Sequence, residues 1–373
     1  MWDEVAMRKP TLIVAAIGVN LFSGAVSAEN SIAWQGYQYQ ENDDRIDVRG
    51  GAIRVEQDFG TDYALTAGVD YDTVTGATPM WVPIAGYADE YEEGKAELEP
   101  ETRNGSFANL LVRDSRRNEY TLGATYSSEP DYLAQGISAQ ALFWHDESHN
   151  RSYTVGLSRM FNTARASAAT NHAQDEDSTS DYLQAGVTQV INARTTLEAS
   201  LFYGNEDGYL TNQYLKIVRI DDIGNQYLAP DDRPEARESA GVALRGAHAF
   251  QPGLVTQLWY RFYEDDWGID GHTLEAKLYW DVTPYLRLNP VYRVGNQTAA
   301  DFYRDYSDTP NYFAATGYGS NDARLGDFDT QTVQLNVEYL ASKQWSLNAG
   351  ISDYTQNNGF EARWISAGFV FRH

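Results

Sequence analysis

Four groups of side chains in this 373-residue chain have types and spacings suited to chemistry. Glu264, Asp265 and Asp266 are consecutive, and Asp70 and Asp72 stand two apart in another segment. Carboxylate oxygens are what hard divalent cations bind, so these acids could share one ion. The plainer reading has them capping a loop, with Trp267 beside them as an interfacial anchor. His272 lies close in sequence to Asp265, Asp266 and Asp270, and an Asp–His pair there could activate water. His145 and His149 bracket Asp146 and Glu147, a spacing open to a metal ion or to a polar hairpin tip. Arg233 and Arg237 flank Pro234; they would pair with loop carboxylates and fix the loop's return, or grip a solute. No Gly-x-Ser-x-Gly elbow, His-Glu-x-x-His helix, phosphate loop or dinucleotide fingerprint accompanies them. The expectation is therefore no enzyme and no cofactor, with hydrolysis at His272 and Asp266 as an alternative.

The elements that must hold these groups are strands. Leu254, Thr256, Leu258, Tyr260 and Phe262 alternate with Val255, Gln257, Trp259, Arg261, Tyr263 and Asp265. Leu274, Ala276, Leu278, Trp280 and Val282 alternate with Glu275, Lys277, Tyr279 and Asp281. Period 2 with charge on one side only marks a strand with one apolar face. Sixteen such blocks are predicted, at about 31–40, 45–58, 61–74, 107–114, 118–128, 131–145, 150–162, 180–191, 194–206, 238–250, 254–266, 272–282, 285–298, 329–341, 343–355 and 361–373. Fourteen is the alternative if 107–114 merges with its neighbour. The long connections (75–106, 163–179, 207–237, 299–328) alternate with short ones such as Gln251-Pro252-Gly253. The segment from Gly76 to Ser106 is rich in Glu and reads as a solvated loop.

This pattern predicts an all-β fold: a transmembrane antiparallel up-and-down β-barrel with long external loops, short periplasmic turns and both termini in the periplasm. The last block presents Ile365, Ala367, Phe369 and Phe371 on one face, as in the terminal recognition strand of outer-membrane barrels, although Arg372 and His373 follow. Aromatics make up 13% of the chain, and Trp34, Tyr37, Tyr39, Trp280, Tyr285, Trp345 and Trp364 are expected in interfacial girdles. A soluble Tyr-rich β-sandwich is the competing reading. There is no cysteine, so neither disulfides nor thiolate metal sites can contribute. The formal charge of −25 argues against nucleic acid as a partner. Residues 1–28 read as a secretory signal: Arg8 and Lys9, an apolar run from Thr11 to Gly24, then Val26-Ser27-Ala28. The run is too short to cross a bilayer, and 29–373 is left as one barrel.

Several segments carry a resemblance. They are Asp70 with Thr75-Gly76-Ala77-Thr78-Pro79, Ser128-Glu129-Pro130-Asp131-Tyr132, Gly208-Tyr209-Leu210 and Arg233-Pro234-Glu235-Ala236-Arg237. Tyr260 to Ile269 with His272-Thr273, and Gln297 to Tyr303, complete the set. Across nearly all of the exported chain the sequence resembles a family of uncharacterised proteobacterial proteins regarded as outer-membrane barrels. Thr75 stands where that family pattern has Ser. The resemblance implies a barrel in the outer membrane of a Gram-negative bacterium and no particular activity. It marks Asp70, Asp72, Arg233, Arg237, Asp265, Asp266, Trp267 and His272 as residues of the barrel rim.

Alternation places Arg54, Glu56, Glu198, Arg261, Glu275, Lys277, Arg287, Arg293 and Glu338 in the lumen. Cross-strand pairs such as Arg261 with Glu275 could ladder the interior, each rung being weak where water enters. A sixteen-strand bore is wide enough for an aqueous channel unless loops fold in. The function expected is a porin-like pore for small polar or cationic solutes; a non-conducting barrel that docks a partner is the alternative. Expected partners are outer-membrane lipids, divalent cations at acidic loops and an envelope protein.

Overall fold

The computed structural model describes residues 30–43, 45–83, 91–167, 170–308 and 312–373; the segment read as a signal lies outside them. In chain order the strands are β1 (Ser31–Glu41), β2 (Ile46–Phe59), β3 (Tyr63–Pro83), β4 (Tyr91–Arg113), β5 (Glu119–Ser128), β6 (Tyr132–Trp144) and β7 (Arg151–Ala164). They continue with β8 (Glu176–Asn192), β9 (Thr195–Gly208), β10 (Lys216–Ile220), β11 (Gln226–Pro230), β12 (Ala236–Gln251) and β13 (Leu254–Asp265). The last six are β14 (Asp270–Thr283), β15 (Leu286–Gln297), β16 (Phe313–Ala314), β17 (Phe328–Leu340), β18 (Trp345–Gln356) and β19 (Glu361–Arg372). All but β10, β11 and β16 form a closed antiparallel barrel of sixteen strands, each beside its neighbour in sequence. Fourteen strands is thereby excluded.

Closure is made by β1 against β19, in register from Ser31 opposite Arg372 to Glu41 opposite Ala362. The His373 amide donates to the Asn30 carbonyl at 3.0 Å, so both ends of the ring meet at the short-turn end. A closed ladder leaves no row of unpaired backbone groups, which is the condition for strands to sit in hydrocarbon. The outward face fits that solvent. Leu122, Ile137, Leu157 and Leu201 stand at mid-strand with 58–64% of their surface uncovered by protein. So many bare large aliphatics would be an aggregation surface in water. Aromatics flank them: Phe59, Tyr63, Tyr120 and Trp345 towards the short-turn end, Tyr71, Tyr126, Phe161 and Tyr203 towards the other. On β3, Tyr63 and Tyr71 lie eight residues apart, which is about 26 Å of strand and roughly 20 Å of height after tilt.

Two expectations need correction. Tyr37, Tyr39 and Trp364 are not girdle residues: they turn inward and pack with Ile46, Val48 and Val74 into an apolar cluster. The segment 75–106 is not simply a loop, because β3 and β4 continue through most of it as a long hairpin. Polar strand residues misled the pattern here, since a hairpin beyond the membrane needs no apolar face. Gly76 marks the departure. It pairs with Ile46, the first residue of β2, beside a register shift between Val74 and Gly76, and its φ is +133°. A side chain there would collide with the Arg45 carbonyl, so only glycine lets the hairpin leave the wall at this angle.

Candidate functional site

The inner wall is polar and paired. Arg103 on β4 lies across from Asp72 on β3 and is almost fully buried. Its Nε donates to Asp72 Oδ2 at 2.8 Å and its Nη2 to both Asp70 and Asp72. The Tyr37 hydroxyl donates to the same Asp72 oxygen at 3.2 Å. Asp70 and Asp72 thus stand inside the wall rather than on its rim, because β3 runs on past them. Further down, Glu275 is held by Arg293 at 2.7 Å and approached by Lys277 at 4.0 Å. The Arg261 guanidinium lies over the rings of Phe202 (4.6 Å) and Tyr263 (5.2 Å). Arg287 joins Asp281 (2.7 Å) and Glu338 (3.2 Å), Arg245 reaches Glu198 (3.4 Å), and Arg54 binds Glu56. The lumen is therefore lined by alternating charges that water can reach, not by a free field of one sign.

The long loops lie at the other end and are tied to one another. Strands β11, β10 and β16 make a small sheet, β10 antiparallel to β11 and parallel to β16. Arg219 of β10 fastens it, donating to the carbonyls of Ala314 (2.8 Å) and Gly317 (2.7 Å). Beside it Arg233 forks between Asp231 (2.6 Å) and Asp322 (2.8 Å), and Asp322 also takes Arg324. Burial disfavours charge on Asp322, but Arg324 and Arg233 outweigh it and hold its carboxyl well below the usual range. Asp231 moves the other way: burial raises it despite Arg233.

Other ties run across the mouth. Trp81, at the end of β3, donates its indole N–H to Asn321 Oδ1 (3.0 Å) and lies against the Tyr306 ring at 4.9 Å. Strands β3 and β17 are five positions apart round the ring, so this contact spans a chord of the opening. Gln213 donates to Asp131 Oδ2 at 2.6 Å, and its side-chain carbonyl contacts His172 Nε2 at 3.2 Å. The end of β3 and the loops after β5, β7, β9 and β15 thus form one layer, a lid with its own core of Leu210, Trp267, Ile269, Ala300 and Leu325.

The Asp-Asp-Trp-Gly segment is the tight turn from β13 to β14. Asp265 Oδ1 accepts the amides of Trp267 (3.0 Å) and Ile269 (2.9 Å), and Gly268 supplies the required φ of +91°. Asp265 Oδ2 takes the Tyr263 hydroxyl (2.8 Å) and Arg237, whose guanidinium covers the Trp267 ring at 4.7 Å. These contacts correct the shared cation. Glu264 points outward, Asp265 inward, and Asp266 accepts the Glu238 amide. Strand β3, with Asp70 and Asp72, is on the opposite side of the barrel from β13. Among the described residues, the acid trio that does converge is Glu101, Glu129 and Asp131, with oxygens within 4.8 Å of one another. His272 keeps the face of Asp270, two residues before it, but not that of Asp265. It shares the outward face with Phe262 and contacts the Tyr260 hydroxyl through Nδ1 at 2.9 Å, so the wall separates it from Asp265. His145 and His149 lie at a short turn, their rings against Tyr153 and Trp144 respectively.

Sequence reasoning missed Arg103, Asp231, Asp322 and Arg324. For Arg103 a signal existed: carrying the alternation of 107–114 back four residues puts it on the inner face. The loop ties had none, since partners such as Arg233 and Asp322 are far apart in sequence and in no periodic element.

Similar solved structures include Pseudomonas aeruginosa OpdQ, at 9% identity over 92% of this chain and 98% of that one, with a TM-score of 0.43. A bacterial polysaccharide outer membrane secretin matches at 10% identity over 92% and 98%, with a TM-score of 0.49. The ferric enterobactin receptor PfeA of Pseudomonas aeruginosa matches at 10% identity and a TM-score of 0.42 over 88% of this chain, which spans about half of the receptor, 54%. No curated protein matches the chain. A family model covers residues 14–368, and on that extent the chain belongs to the family described as Protein of unknown function (DUF3570).

Proposed function

We propose that this protein is a pore in the outer membrane of a Gram-negative bacterium, passing small polar solutes and favouring cations, with its external mouth closed by the loop lid. The single observation that supports this is the charged, water-accessible inner wall within a ring of sixteen strands. A bare structural ring has no need of ion pairs facing a lumen, and a ring of this size leaves room for water. The acidic balance of the chain would concentrate cations at the mouth. The lid favours a second reading, a non-conducting barrel whose knitted loops dock an envelope protein. Refolded protein in a planar bilayer tests both. Cation-preferring conductance that rises when the lid is loosened by Arg233→Ala supports the pore. Silence from both proteins, each still heat-modifiable on a detergent gel, would leave the docking barrel.

A further inference from the structure

Three segments that carry the family resemblance, around Pro234, Asp266-Trp267 and Asp301-Phe302-Tyr303, come together round a cavity of about 410 Å³ in the lid. That volume suits a small organic molecule. Its walls are aromatic: Phe302 stands edge-on to Trp267 at 5.2 Å and to Tyr318 at 6.3 Å. Tyr318 is 56% exposed, so part of this aromatic surface meets solvent. Two exposed carboxylates, Asp266 and Asp301, line the same space. Among the described residues no cation pairs with either. The cation that does line the cavity, Arg304, is already engaged: it donates to the Tyr312 carbonyl at 2.6 Å and lies over the Phe313 ring at 5.2 Å. The cavity therefore offers aromatic surface and net negative charge together.

We infer that this cavity binds an organic cation, a small alkylated ammonium seated on the aromatic rings with its charge towards Asp266 and Asp301. Aromatic rings attract such cations through their negative faces, and the bulky alkyl groups that hinder hydration of the charge suit the aromatic part of the wall. A bare metal ion would find only two carboxylates and no use for the rings. The site is independent of conduction, so it stands whether or not the barrel is a pore.

Calorimetric titration of the full chain, refolded in detergent, tests it with choline as the probe. The comparison ligand is 3,3-dimethylbutan-1-ol, which has the same shape without the charge; glucose is a third arm. Choline should bind saturably, with the neutral isostere and glucose at least about tenfold weaker. Asp301→Asn and Asp266→Asn should each weaken choline several-fold; the second keeps an oxygen for the Glu238 amide, so the turn survives. Tyr318→Ala, at an exposed ring, should do the same. Heat-modifiability on gels checks that each variant is folded. Absence of choline binding at about 100 mM, equal binding of the neutral isostere, preference for glucose, or folded variants that bind choline unchanged would each overturn the assignment.

Discussion

Replacing Arg233 by Ala should open the lid while leaving the barrel intact. Arg233 is 6% exposed and joins two carboxylates that are themselves buried, Asp231 and Asp322. Removing one partner of a buried ion pair costs about 3–5 kcal/mol, because the remaining charge keeps its desolvation cost and loses its compensation. Asp322 retains Arg324, which argues for the lower end, about 3 kcal/mol. At about 1.4 kcal/mol per tenfold, that multiplies the population of open lid roughly 150-fold. Hydrogen exchange reads this directly, since amides that exchange through local opening report its free energy. Amides of Ile217–Ile220 and Gln226–Leu228, paired in the lid sheet, should exchange about two orders of magnitude faster. Those of β9 and β12, which root the same loop, should not change. Unchanged lid exchange in a folded Arg233→Ala protein would refute the claim that this ion cluster holds the lid. Equal acceleration in β9 and β12 would show that lid and wall are one cooperative unit.

Three further outcomes are expected. Arg103→Ala should destabilise the barrel by about 3–5 kcal/mol, seen as a lower temperature for loss of the compact gel form. Arg103→Lys should restore only part of this, because a single ammonium cannot fork between Asp70 and Asp72. Leu201→Arg, at a mid-strand outward position, should cost about 2–4 kcal/mol in refolding into bilayers, whereas an inward substitution on the same strand should not carry that cost. Between pH 7 and 5 the lid should not loosen. The depressed Asp322 gives stability that is present above the ordinary carboxylate range and is lost only as pH falls below it. The raised Asp231 gives stability that grows as pH falls and it takes up a proton. Thermolysin nicking of the lid loops that increases on going to pH 5 would contradict this.

Alternation and turn chemistry by themselves determined the barrel. The sixteen predicted blocks correspond to the sixteen barrel strands, because a wall between lipid and water imposes period 2 on every strand and each block carries the whole signal locally. The same rule put Arg54, Glu275 and Arg293 on the inner face. It failed where that boundary stops: β3 and β4 run on past the membrane with no apolar face to betray them. Partnership was decided only by the tertiary structure. Register set Glu275 against Arg293, ring order put Asp70 and Asp265 on opposite sides, and parity turned His272 away from Asp265. The lid is the extreme case. Asp131 and Gln213, Arg233 and Asp322, and Trp81 and Asn321 meet only because a closed ring brings the roots of distant loops round one opening. No local pattern in the sequence encodes that circle.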